Sequence, residues 1–334
     1  MRISILGAGI AGLTCALELH ARGAAIEVLE RAPQLPAAGC SWFAGGMLAP
    51  WCELESSPPL IAALGTESIL WWRQHFPGTL QHGTLVVAHA RDTGELAQFA
   101  RRTAHFDTLA AERIAQLEPE LAGRFSQGLY FPEEGHLDPR AALSALATRL
   151  GEADVPIRFG VTAAPRPDRT VLDCRGLAAR TELTDLRGVK GEMLLLRLPE
   201  LHLNRPVRLL HPRWPLYVVP RGQGLFMVGA TMIESDDGER ISARSLLELL
   251  SAAYALHPAF GEAQVIEIGV GVRAAFPDNL PRLRRVAGRL YLNGLYRHGF
   301  LLAPALARRA ADVLLEGRDD AEVMDEDPGE RRLA

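Results

Sequence analysis

The chain has 334 residues, a net charge of −4, 48% hydrophobic residues and 23% charged ones. That length suits one large two-lobed body or two small domains, and the slight negative charge argues against a nucleic-acid partner. No apolar run reaches the roughly 18 residues of a spanning helix.

The four cysteines, Cys15, Cys40, Cys52 and Cys174, form no CxxC pair and no cluster with histidine. They read as reduced thiols, with neither disulfides nor structural zinc expected. The first residues show no basic n-region, apolar h-region or cleavage site, which predicts a cytoplasmic protein.

The opening thirty residues organise the rest. Arg2–Leu6 is a short apolar strand, followed at once by Gly7-Ala8-Gly9-Ile10-Ala11-Gly12, a helical run to His20, a second strand Ala25–Leu29, and Glu30. In this dinucleotide-binding fingerprint Gly7 permits the tight turn, and Gly9 lets the backbone approach a pyrophosphate. Gly12 lets the helix pack on the sheet. The helix N-terminus offers free N–H groups to phosphates, and Glu30 stands where an acid holds a ribose hydroxyl.

A Pro/Ala loop over 31–39 delivers Cys40 to Pro50, whose Ser41 and paired Gly45-Gly46 allow main-chain N–H groups close to a cofactor. A helix is predicted over 58–76, with Trp71-Trp72 as packing residues. Then come a strand over 84–89, helices over 94–105 and Ala111–Leu117, and a strand over 128–131. A helix from Pro139 to about Leu150 follows, N-capped by Asp138. Strands are predicted over 156–159 and Thr170–Asp173. A strand-rich block follows over 191–198, Val207–Leu210, 216–219 and 225–230, with Gly222-Gln223-Gly224 as a hairpin turn. A helix over 243–257, strands over 265–272 and 290–293, and a helix over 301–316 complete the pattern. The acidic tail from Gly317 reads as mobile.

These elements predict an α/β architecture: a Rossmann-type nucleotide domain built from 1–78, 136–186 and 268–334. A mixed, largely antiparallel substrate domain is inserted as 79–135 and 187–267. One GxGxxG suggests either a nicotinamide dehydrogenase or a flavoenzyme reduced directly by its substrate.

Further segments narrow this choice. They are Ser41 with Ala44-Gly45-Gly46-Met47-Leu48-Ala49-Pro50, Gly135-His136-Leu137-Asp138-Pro139, Lys190-Gly191-Glu192 and Tyr217-Val218-Val219-Pro220-Arg221. Gly229-Ala230-Thr231-Met232, Gly271-Val272-Arg273, Tyr296-Arg297-His298-Gly299 and Leu302-Ala303-Pro304-Ala305 continue the series. With the opening fingerprint, they make the chain resemble the D-amino-acid-oxidase-like flavin family over nearly its whole length. Within it, the chain is similar to the glycine oxidases associated with thiazole biosynthesis.

The resemblance implies FAD, oxidation of a small amino acid, and dioxygen or another electron acceptor; several relatives attach flavin through a cysteine in the C-terminal half, and with no cysteine after Cys174 non-covalent FAD is expected here. It also implies a homo-oligomer and thiazole-synthesis enzymes as partners. Tyr217, Met232, Arg273 and Arg297 fall on the family's substrate positions, with Arg273 as the carboxylate-binding arginine. Cofactor contacts are implied for Gly7, Gly9, Ile10, Ala11, Gly12, Glu30 and Arg31, and for Ser41, Gly45, Gly46 and Met47. Val161, Gly176 and the run Arg297, His298, Gly299, Phe300, Leu301 complete the set. Two departures are visible: 156–173 is short where relatives often carry an extra hairpin, and His298 replaces the usual Asn.

The chemistry is consistent with these assignments. Arg can grip a carboxylate with two parallel N–H bonds that Lys cannot match. Each residue also has a plainer reading: Arg273 as a structural ion-pair arginine, Tyr217 as packing, Met232 as core. His136 reads as a packed histidine outside the site, and His298 as a main-chain contact. Arg208, His211 and Arg213 read as a solvated basic edge. Alternative activities are a sarcosine or D-amino-acid oxidase or dehydrogenase, or a flavoprotein acting on a partner protein's side chain.

Overall fold

The computed structural model describes residues 1–35, 39–162, 167–213 and 215–325. Arg2–Leu6 and Ala25–Leu29 pack Ile3, Ile5, Ile26 and Val28 into the core of a sheet, and their buried polar residues satisfy each other, Ser4 Oγ donating to Glu27 Oε1 at 2.7 Å. That seven-stranded sheet runs Met324–Asp325, Arg282–Val286, Arg289–Asn293, Thr170–Asp173, Arg2–Leu6, Ala25–Leu29, Ile157–Arg158. Every neighbouring pair is parallel except the hairpin of Arg282–Val286 with Arg289–Asn293. The helix Ile10–Ala21 packs against Gly299–Ala311 and Pro139–Glu152, and Pro59–His75 against Gly299–Ala311. Asp138 caps its helix as expected, accepting from Arg140 N at 2.8 Å and Ala141 N at 3.2 Å.

The second sheet has nine strands and only one parallel pair, Val207–Leu210 beside Thr84–Ala88. Its long strand Arg187–Arg197 shows the period-2 logic of a sheet with two different faces. Leu194 and Leu196 join Val218 and Val228 beneath the helix Ala243–Leu256, while Met193 and Leu195 face the opposite way, with Phe43 and Tyr217. The turn Gly222-Gln223-Gly224 joins two antiparallel strands, all three residues at positive φ.

The strand expected over 265–272 runs Gln264–Ala275 and pairs with Arg187–Arg197, with one register shift at Leu195/Leu196, in the second sheet. Other features depart from the sequence reading. Arg282–Val286 is a strand whose RLRRV pattern hid it. Arg284 there is 2% exposed and is neutralised by Asp185 at 2.7 Å and Asp325 at 2.8 Å. The described part of the tail is docked, not loose: Met324–Asp325 pairs with that same strand, and Arg285 meets Asp319 at 3.1 Å.

Candidate active site

The glycine turn forms the inner end of the site. Gly7 sits at φ +96°, and its N–H donates to Leu29 O at 2.8 Å. A Cβ on Gly12 would lie 1.9 Å from the Gly7 carbonyl oxygen, so only glycine lets this helix start against the strand end. Glu30 is buried and accepts from Ala8 N at 2.8 Å and Ala32 N at 2.9 Å, tying the second strand to the glycine turn. Ser41 Oγ accepts from Ile10 N at 3.2 Å, bringing the 40–46 loop over the helix N-terminus.

From this turn a cleft of about 950 Å³, open solvent at its mouth included, runs to the second sheet. Gly9, Ile10, Ala11, Ser41, Gly45, Gly176, Arg297, Gly299 and Phe300 line it, and so do Tyr217 and Arg273. Gly176 is at φ +58°, and its carbonyl accepts from Asn293 Nδ2 at 2.9 Å. Glycine at 45 leaves room for the Tyr217 ring, which a Cβ would approach to 2.9 Å. Gly46, at φ +69°, has no space for a side chain beside Leu137 O.

A second chamber adjoins the cleft and shares Gly45, Tyr217, Arg273, Arg297 and Phe300 with it. Met47, Met232, His298 and Leu301 also line this chamber. Arg273 lies across Gly191, and its Nη1 donates to Thr231 O at 3.0 Å and Lys190 O at 3.4 Å. Among the described residues no carboxylate pairs with it. Burial pushes the Tyr217 phenol up, so it stays protonated near neutral pH. Met232 is 54% exposed at the chamber edge, touched by Tyr296 Oη at 3.4 Å and Arg297 Nη1 at 3.6 Å. It therefore forms the chamber's rim, not its core.

Arg297 is placed differently from Arg273. Its Nη2 meets Glu53 Oε2 at 2.7 Å and also donates to Ser56 Oγ. His298, 4% exposed, has its Nε2 2.9 Å from the same carboxylate oxygen. Arg208 Nη1 approaches Glu53 Oε1 at 3.4 Å, so this arginine belongs to the chamber wall and is not a solvated edge residue. Burial alone would raise the Glu53 pKa, but Arg297, His298 and Arg208 hold the carboxyl well below its usual range. Burial holds the His298 imidazole below its ordinary value despite Glu53, so the ring is neutral at pH 7.

Sequence reasoning missed Glu53, Arg221 and Asn293. Arg221 donates to Gly45 O at 2.8 Å and Ala44 O at 3.2 Å, and also to Leu137 O, holding the glycine loop by its carbonyls. Burial pushes its guanidinium down to about 10. Its position in Tyr-Val-Val-Pro-Arg was visible, but what it holds was not. Nine expected cofactor residues lie outside the cleft lining: Gly46, Met47, His298 and Leu301 line the adjoining chamber, and Gly7, Gly12, Glu30, Arg31 and Val161 line neither. Arg31 is exposed beside Glu30, and Val161 donates its N–H to Glu30 O at 2.9 Å on the same edge. His136 is packed as expected, with burial, and then Arg221, pushing it down to about 3.

The residues present fit FAD. The turn at Gly7 and Gly12 has no room for a side chain, the buried acid Glu30 adjoins it, and the cleft leads from there to a chamber lined by Arg208, Arg273 and Arg297 together with Glu53, Glu55 and Glu95. The chain belongs to the family of FAD-dependent oxidoreductases related to D-amino-acid oxidase, whose pattern matches residues 2–313. It is 56% identical over 317 residues to a Rhizobium etli protein provisionally named thiamine biosynthesis oxidoreductase ThiO, covering 94% of this chain and 97% of that protein. A Pseudomonas aeruginosa glycine oxidase is 27% identical over 362 residues, with 95% of each chain covered. The glycine oxidase structure from Bacillus cereus superposes with a TM-score of 0.82 at 20% identity, covering 96% of this chain and 97% of that one, which establishes the fold. Among the described residues there is no helix long and apolar enough to cross a membrane, and no group of three or more potential metal ligands.

Proposed function

We propose that this oxidoreductase converts glycine, or an amino acid of similar size, to its imine, with dioxygen or another acceptor taking the electrons. The observation that carries this reading is Arg273: a guanidinium in the chamber with carbonyl partners only, facing the same space as Tyr217. Arg273 is partly buried, a cation so placed without a counter-charge is poorly solvated, and a substrate carboxylate supplies the counter-charge through two parallel hydrogen bonds.

Bound FAD would supply the two-electron acceptor for oxidation of the substrate's C–N bond. The chain's own residues bind and orient. Arg273 fixes the carboxylate, the Tyr217 hydroxyl adds a hydrogen bond, and the wall of Phe300, Leu301 and Met47 excludes water beside the small α-carbon. Arg221 and Ser41 hold the glycine loop in register. The neutral amine gives up its Cα–H, and the imine then hydrolyses or passes to a consuming enzyme.

A Synechocystis relative, 28% identical over 341 residues, carries the name bifunctional protein ThiO/ThiG, and this chain spans 51% of its length. It supports a thiazole-synthesis enzyme as the consumer. A cytoplasmic homo-oligomer is part of the same proposal. Anaerobic flavin bleaching by glycine, sarcosine, D-alanine and a simple amine tests the core reading, in native and Arg273→Met protein. Glycine should bleach the native flavin, and the amine should not. Equal loss of all substrates in the variant would assign Arg273 to structure.

A further inference from the structure

Three carboxylates line the chamber, Glu53, Glu55 and Glu95, and of these Glu53 is the one held against its arginines. Glu53, at the end of the short helix Pro50–Glu53, has a side chain 14% exposed. One of its oxygens lies 2.7 Å from Arg297 Nη2 and 2.9 Å from His298 Nε2, and the other lies 3.4 Å from Arg208 Nη1. Arg273 lines the same chamber but bonds only to main-chain carbonyls. Three guanidinium groups therefore share one wall, and Glu53 occupies two of them.

We propose that Glu53 is the specificity-determining positioning residue: by holding Arg297 and Arg208 it leaves Arg273 as the anion site and limits substrates to one carboxylate. The inference rests on the reading of Arg273 given above. A second carboxylate entering the native chamber meets the Glu53 charge before it can reach either held arginine, and like charges disfavour it. Removal of the Glu53 charge leaves two poorly solvated cations without their counter-ion, and a dicarboxylate supplies the missing one. His298 keeps a partner in either case: its Nε2 lies 2.9 Å from the residue-53 side chain and 3.2 Å from Arg297 Nε, and an amide at 53 can either donate to that nitrogen or accept from it.

The test uses FAD-loaded enzyme and unreactive ligands first. Acetate and malonate are titrated while the visible flavin spectrum is followed, in native, Glu53→Gln and Glu53→Gln/Arg297→Met/Arg208→Met proteins. Native enzyme should prefer acetate. In Glu53→Gln the malonate-to-acetate affinity ratio should rise about tenfold or more, the scale of one charge-assisted hydrogen bond, and the triple variant should lose that gain. Flavin reduction by iminodiacetate relative to glycine should move in the same direction. If Glu53→Gln does not retain FAD, Glu53→Asp replaces it, with a smaller rise because the shorter arm releases Arg208 first. An unmoved ratio in a variant that holds FAD overturns the proposal. If acetate leaves the native spectrum unchanged and Arg273→Met leaves glycine reduction intact, the Arg273 reading falls and takes this inference with it. If Arg273 passes and the ratio does not move, only the role of Glu53 falls.

Discussion

At the scale of the residue, the two charged chemistries of the site, cation and acid, depend on partners. Arg273→Lys keeps the charge but loses the paired geometry, so flavin reduction per molar glycine should fall about 10–100-fold, and Arg273→Met should lose more. FAD content should stay normal in both, which a visible spectrum checks. Glu30→Gln replaces one acceptor oxygen by an NH₂ group that faces either Ala8 N or Ala32 N. FAD affinity should weaken by about 1.5–3 kcal/mol on titration of the apoprotein, and melting of the apoprotein should also drop. Lower melting with unchanged affinity would assign Glu30 to the turn alone.

Glu134 gives a pH dependence with an unusual sign. It is fully buried, one of its oxygens accepts from Cys52 N at 2.7 Å, and burial raises its pKa from 4.5 to about 7. Between those values the native carboxyl keeps its proton while the unfolded chain has lost it. Stability therefore falls as pH rises through this window, by roughly 2–3 kcal/mol in all, and stays lower above it. Glu134→Gln should flatten that slope in urea melts taken from pH 5 to pH 8, whereas an unchanged slope would place the titration elsewhere.

At the scale of the element, the helix entry and the helix cap separate cofactor binding from stability. Gly12→Ala puts a methyl group against the Gly7 carbonyl oxygen, and neither backbone can yield without opening the turn. FAD content after purification should fall to near zero, with a cost of about 1–3 kcal/mol or more in stability. Asp138→Ala removes only the cap of Pro139–Glu152. It should cost about 1 kcal/mol by chemical denaturation and leave the flavin spectrum unchanged. The pair distinguishes an element that cradles the cofactor from one that supports it.

At the scale of the whole molecule, two sheets meet along the cleft, and the loops joining them carry the site. Trp72 shows how the scaffold reaches the chemistry: its indole N–H donates to Phe300 O at 2.7 Å, fixing the start of the last long helix from inside the core. Cys40 lines the cleft, but burial pushes its thiol up and keeps it protonated, which makes it a poor nucleophile toward a flavin ring. Acid precipitation should accordingly release all the yellow colour into the supernatant. Colour retained in the pellet would show a covalent link.

The sequence by itself determined the features encoded by neighbours along the chain. The strand, glycine turn, helix and acid at 2–30 follow from local sterics and periodicity. So do the cap at Asp138, the hairpin at 222–224 and the packed state of His136. The ordered motifs carried Tyr217 and Arg273 to one chamber. Only the tertiary structure decided how charges pair, because opposite charges meet across long separations that no local pattern records. Glu53 and Arg297 are remote in sequence yet share a hydrogen-bonded ion pair, which removes Arg297 from the free cations. Arg208 looked solvated because its strand is short and basic, and it is half-buried in the chamber wall with Glu53 opposite. Arg282–Val286 carried no assignment from its sequence, and in the fold Asp185 and Asp325 make its central arginine a core residue. Burial converts a charge from a surface feature into a partner-dependent one, and the partner is chosen by the fold.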